Sequence, residues 1–183
     1  MKKSGQIWIE TVLYTLIGLA LIGISLAIIT PRINAARDKL LVEQTIESLG
    51  ILDGKIDEVA RNGHGNKRVV EEFIMKKGEM YINTNENKII FNLTGLSKPY
   101  SEPGASINKS RVEIISWNTK KGAVASLTLN YKNIVIIDTE DSGANEIKKF
   151  NAAATPYRFS IENMGKNPPD TLERIRIEET SGR

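Results

Sequence analysis

Hydrophobic positions follow three different patterns along the chain. From Ile7 to Ile29 they are almost unbroken, from Asn34 to Arg61 they recur every three or four residues, and beyond Asn66 they mostly alternate. The first pattern reads as a transmembrane helix over residues 6–30. No charged side chain occurs between Thr11 and Ile29, and extending back to Ile7 adds only Glu10. A helix rises about 1.5 Å per residue and a bilayer core is about 30 Å thick, so about 20 apolar residues suffice to cross it. Pro31 removes a helical hydrogen bond and biases Thr30 away from helical geometry, which predicts a kink or short break after the span.

The second pattern predicts an amphipathic stalk helix within residues 31–65. Val42, Ile46, Leu49, Leu52, Ile56 and Val59 form one stripe, while Glu43, Glu47, Asp53, Asp57 and Glu58 occupy the remaining surface. Gly50 and Gly54 each weaken a helix by about 1 kcal/mol relative to alanine, so fraying or bending is expected there. The run Asn62-Gly63-His64-Gly65-Asn66 should terminate it. The stripe is expected to cover a β-domain, with packing between subunits as the alternative.

The third pattern predicts an antiparallel β-sandwich over residues 66–183. Ala125, Leu127, Leu129 and Tyr131 share a face, as do Tyr157, Phe159 and Ile161, and again Ile175 and Ile177. Ile89, Phe91 and Leu93 should pair with Met80–Asn83 through the turn 84–87, and Val112–Trp117 with Val124–Tyr131 through 118–122. The continuous apolar run Asn133–Ile137 reads as a buried central strand. Arg68–Met75 is compatible with either helix or strand. Seven or eight strands result, with the loops Ser97–Asn108 and Glu140–Asn151 expected to cross between sheets. The fold class is therefore α+β: a transmembrane helix continuing into a stalk helix, then a sandwich.

Charge adds little to this picture. The net charge is +3, without visible clustering along the sequence, so nothing points to a nucleic-acid partner. Lys2 and Lys3 precede the span while Arg32, Arg37 and Lys39 follow it, so the positive-inside count does not choose an orientation. The absence of cysteine excludes disulfides and thiol chemistry.

Candidate chemistry is sparse, and neither an enzymatic activity nor a cofactor nor a metal is expected. The single histidine, His64, cannot form a multi-histidine zinc site and reads as a solvated loop residue. No Walker, GxGxxG or GxSxG motif occurs. The run Asp138-Thr139-Glu140-Asp141 lacks EF-hand spacing and reads as a solvated acidic turn. Two glycosylation acceptor motifs begin at Asn92 and Asn108, no more than chance supplies. Asn92 falls in a strand, and Asn108, assigned to a loop, is the better acceptor.

The N-terminus supplies the sharper reading. Lys2-Lys3, the small pair Ser4-Gly5, then Gln6 with Glu10 four residues on, all preceding the apolar run, resemble the class III signal peptide of archaeal type IV pilin-like proteins. The resemblance covers residues 2 to about 30 and implies cleavage between Gly5 and Gln6 by a prepilin-type peptidase. It also implies retention of the apolar helix as membrane anchor and filament core. In that family Glu10 would neutralise the free amine of Gln6, on its own or a neighbouring subunit. One position departs from the pattern: Trp8 stands where the family usually has serine. The implied protein has a cytoplasmic leader at residues 1–5 and a single span in the cell membrane. Its C-terminal domain is extracellular, and its N-terminal helix self-associates. The rival reading is an anchored extracellular binding domain that is never processed and never polymerises.

Overall fold

The computed structural model describes residues 3–139 and 147–180. One helix, α1 (Lys3–Asn62), is followed by ten strands among the described residues. These are β1 (Lys67–Phe73), β2 (Glu79–Asn83), β3 (Lys88–Leu96), β4 (Ser106–Lys109), β5 (Val112–Thr119), β6 (Gly122–Asn130), β7 (Ile136–Asp138), β8 (Ile147–Asn151), β9 (Tyr157–Asn163) and β10 (Arg174–Glu179). They form a four-stranded sheet in the order β1-β9-β10-β7 and a six-stranded sheet in the order β4-β5-β6-β3-β2-β8. Every pairing is antiparallel except β7 with β10. The α+β class, with an apolar N-terminal helix leading into a β-sandwich, is thus observed.

The break expected after the span is absent: α1 runs through Pro31 as one helix. Proline deletes one hydrogen bond, to the carbonyl of Ala27 four residues back, and its ring crowds that carbonyl, costing about 3 kcal/mol. A break would release several backbone groups at once. Beyond Pro31 the helix is also held by its packing, since Val42, Leu49, Leu52, Ile56 and Val59 are all buried. Gly50 and Gly54 do not interrupt it either. Gly63 and Gly65, both at positive φ, end it where the sequence indicates.

The stripe covers the protein's own core. α1 touches β1, β9 and β10 of one sheet and β3, β5 and β6 of the other. Its apolar residues belong to one continuous cluster with Phe73, Phe91, Leu127, Phe159, Ile161 and Ile175. Thr45, which the apolar pattern passed over, is also buried, its hydroxyl donating to the carbonyl of Leu41 at 2.9 Å.

Polar ties fix the helix at several heights. The amide and hydroxyl of Ser97 donate to Asp38 Oδ2 at 2.6 and 2.5 Å. About 22 Å further along the axis, the Tyr131 hydroxyl donates to Asp53 Oδ1 at 2.8 Å, with Arg111 Nη1 3.2 Å from the same oxygen. Burial first, then the Asp53 charge, pushes the Tyr131 hydroxyl well above the ordinary phenol range, so it stays a donor. Near the helix end, Arg68 Nε contacts Glu58 Oε1 at 2.6 Å. Hydrogen bonds from Arg68 and then Lys55 hold the Glu58 carboxyl below its usual range. That contribution is present at neutral pH and disappears as pH falls through the lowered pKa.

Several strand assignments needed correction. Asn133–Ile137 is not a central strand. Asn133 sits at positive φ, the amides of Ile134 and Val135 both bond the Tyr131 carbonyl, and only Ile136–Asp138 joins the sheet, at its edge and parallel to β10. A tight turn consumed the first half of that apolar run. Ser97–Asn108 does not cross between sheets, since β3 and β4 lie in the same one. Its last residues form β4, because their backbone groups find partners on β5, so Asn108 stands on an edge strand rather than in a loop. Glu140–Asn151 does lead from one sheet to the other, from β7 to β8, but its last residues are β8 itself, which pairs with β2 despite its two lysines; residues 140–146 lie outside the described residues. Arg68–Met75 resolves as a strand, most of it in β1.

Asn163 joins the helix end to the sheet. Fully buried, it donates from Nδ2 to the Val59 carbonyl at 3.2 Å and accepts from the Gly165 amide at 2.7 Å. Its own backbone exchanges bonds with Gly65 and Asn66. Asn163→Ala orphans two buried backbone groups, each costing about 1–3 kcal/mol. The expected result is a lower denaturant midpoint with an unchanged slope; a midpoint equal to that of the unmodified protein would remove Asn163 from this role.

Candidate functional site: the bare helix and its junction

Among the described residues, the apolar side chains in the first half of α1 are left uncovered by the β-domain. Every large apolar residue from Trp8 to Ile29 is exposed, Trp8 and Tyr14 at 71% each. A Cβ built on Gly18 or Gly23 would meet no neighbour within 4 Å. A water-exposed apolar surface on every side of a helix is strongly unfavourable, at about 25 cal/mol per Å². Such a helix requires a lipid or protein environment. The segment is long and apolar enough to cross a membrane, and none of that window is buried.

Its polar side chains are accommodated within the helix. Thr15 donates to the Thr11 carbonyl at 2.8 Å and Thr30 to the Leu26 carbonyl at 2.7 Å, so neither hydroxyl needs an outside partner. Glu10 is the sole carboxylate on this half and is exposed. Gly5 and Gln6 lie in the first turns of α1. The Gln6 nitrogen precedes Glu10 by four residues, about 6 Å of rise, and helical side chains tilt back toward the N-terminus. Lys2 lies outside the described residues, and Lys3 begins the helix.

The junction spans Pro31 to Val42. Contact with the domain begins where Asp38 accepts from Ser97. Ala35, Lys39 and Val42 line a 160 Å³ groove with Leu96, Pro99 and Tyr100. Helix and domain are therefore joined by a bonded, packed contact with no intervening loop.

The remaining candidates are scattered. His64 is exposed between two glycines at positive φ, and its ring lies against Gly165, where an added Cβ would stand 2.9 Å from Nδ1. Among the described residues no group of three or more histidines and carboxylates is placed to hold a metal. Asp138 is not a solvated turn residue. Its side chain is 5% exposed, lying 3.9 Å from Arg174 and 3.7 Å from Arg176, the register partner of Asp138 on β10. Position on an edge strand beside two guanidiniums, invisible in a run of acidic letters, explains the difference. Glu140 and Asp141 lie outside the described residues. Asn108 is exposed on β4, whereas Asn92 is half-buried on β3 with a buried Oδ1 that lacks a hydrogen-bond partner.

One site escaped the sequence altogether. Lysines from separate turns gather at the end of the sandwich where α1 leaves it, although no cluster shows in linear order. Comparison with family models, with curated proteins and with solved structures returned no match.

Proposed function

We propose that this chain is a pilin-like, membrane-anchored surface protein, a subunit or accessory pseudopilin of a type IV pilus-like filament serving adhesion or surface assembly. The observation that carries the reading is the division of α1. One uninterrupted helix is bare and apolar through its first half and forms the spine of a β-domain through its second. A bare apolar rod can sit in a bilayer and can equally pack against copies of itself once extracted from it. Glu10 on that rod, together with the resemblance of Lys2–Gln6 to a class III leader, favours the filament role. In this reading a prepilin-type peptidase removes residues 1–5, the helix remains in the cell membrane, and the domain faces the exterior. A second reading, an unprocessed anchored binding domain, is favoured by Trp8, which occupies the family's usual serine position.

The mature N-terminus tests the first step. Mass spectrometry of the native protein is expected to show a chain beginning at Gln6, and replacing Gly5 with a bulky residue should block the cut. A native chain retaining Lys2–Gly5 would sink the filament reading and leave the anchored domain.

Topology is tested separately. Protease added to intact cells should remove the region beyond Asn34. Protection until the cells are lysed would reverse the orientation.

The role of Glu10 distinguishes subunit from lone anchor. Cleavage creates an ammonium on Gln6 in an apolar surrounding, where a carboxylate offsets part of both desolvation costs. Glu10→Ala then strands that charge, at about 3–5 kcal/mol for a broken buried pair. The expected outcome is normal membrane content with loss of sheared filaments. Normal filaments from the variant would remove this role.

A further inference from the structure

Four turns meet at the end of the sandwich from which α1 emerges. Residues 74–78 join β1 to β2, residues 97–105 join β3 to β4, residues 120–121 join β5 to β6, and residues 152–156 join β8 to β9. Their proximity is set by bonds between them. Lys77 Nζ donates to the Gly95 carbonyl at 2.8 Å, Leu96 pairs with Ala123, and the amides of Ala152 and Ala153 donate to the carbonyls of Gly78 and Met75, each at 3.1 Å. The helix joins this end through Asp38 and Ser97, beside a 370 Å³ recess lined by Asn34, Arg37 and Lys121.

These turns carry Lys76, Lys77, Lys98, Lys120 and Lys121 against one carboxylate, Glu102. On the adjoining helix Arg32, Arg37 and Lys39 add three cations, of which Lys39 lies 4.0 Å from Glu43, while Asp38 is engaged by Ser97. Over the whole chain, 25 lysines and arginines nearly balance 22 acids, so this rim concentrates a charge that the average conceals. Lys98, Lys120 and Lys121 are exposed, whereas Lys76 stands further from the apolar run, in a recess with Leu41, Gln44 and Glu47. The nearest acids on the flanking strands include Glu71, paired with Arg158, Glu72, and Glu79, paired with Lys149.

Depth decides what this rim meets. From Ile29, the end of the apolar run, to Asn34 at the recess is about 8 Å along the helix. A headgroup layer is about 5–7 Å thick on each side of the hydrocarbon core. The screening length at physiological salt is about 8 Å. A lysine side chain at this level reaches phosphate without any rearrangement of the fold.

We propose that this basic rim docks the β-domain onto the anionic phospholipid headgroups of the leaflet through which α1 emerges. The proposal rests on the membrane-span reading of α1 but holds for either orientation of the domain. Each cation near an anionic surface strengthens attraction about fivefold, so several acting together hold the domain against the membrane.

The test uses the full chain reconstituted in vesicles of phosphatidylcholine alone or mixed with phosphatidylglycerol. Flotation reports insertion, and an amine-reactive label read by mass spectrometry reports each lysine. In the anionic vesicles, labelling of Lys98, Lys120 and Lys121 should fall at least about threefold and recover at high salt. Lys132 and Lys166, at the opposite end of the sandwich, should not change. Combining Lys120→Gln and Lys121→Gln should remove most of the protection at Lys98. Equal labelling in both lipids, with the protein still floating, would overturn the rim proposal and leave the span intact. Failure to float with either lipid would overturn both.

Discussion

Burial of one face of α1 between the sheets is the constraint on which the remaining architecture depends. Val42, Leu49, Leu52, Ile56 and Val59 are each almost fully buried, and the cluster they join includes residues of both sheets. A helix that contacts β1 and β9 on one side and β3, β5 and β6 on the other contributes to both inner faces at once. Burying a large aliphatic side chain contributes about 1.5–3 kcal/mol. Five such residues therefore matter on the scale of a domain's whole stability, about 5–15 kcal/mol. The sheets close around the continuation of a helix long and apolar enough to cross a membrane, so apolar rod and core cannot be separated without exposing apolar surface.

Polar contacts add position to that burial. Apolar packing by itself tolerates sliding, whereas a bonded pair does not. Ser97 holds Asp38 near the membrane end, Tyr131 and Arg111 hold Asp53 midway, and Asn163 holds the Val59 carbonyl at the far end. Each tie joins a helix residue to a strand or turn distant in sequence, so together they set the axial register of the helix. Burial of the stripe from Val42 to Val59 then decides its rotation.

Much of this was legible in the sequence because periodicity reports burial directly. The span, the stripe from Val42 to Val59, and the hairpins at 84–87 and 118–122 appear where the pattern indicates. The failures have local physical causes. Pro31 signals a break, but one lost hydrogen bond does not outweigh a helix held along its length. Asn133–Ile137 reads as one strand because hydropathy is blind to a positive φ at Asn133. β8 was hidden by Lys148 and Lys149, adjacent residues on opposite faces of an edge strand, where charge is tolerated. The basic rim was unreadable in principle: its lysines come from turns as far apart as residues 77 and 121, and only the sheet topology makes them neighbours.

Continuity of α1 through Pro31 also fixes an angle. With 3.6 residues per turn, each residue advances the helix by about 100°, and no loop intervenes to absorb a mismatch. The direction in which Glu10 points is therefore locked to the direction in which the four-stranded sheet faces. Inserting one residue between Ile33 and Asp38 would turn the entire domain about its anchor by roughly a quarter to a third of a revolution. Any neighbour gripping the apolar rod on one side consequently meets one particular face of the domain on the other, so the helix transmits azimuth as well as position.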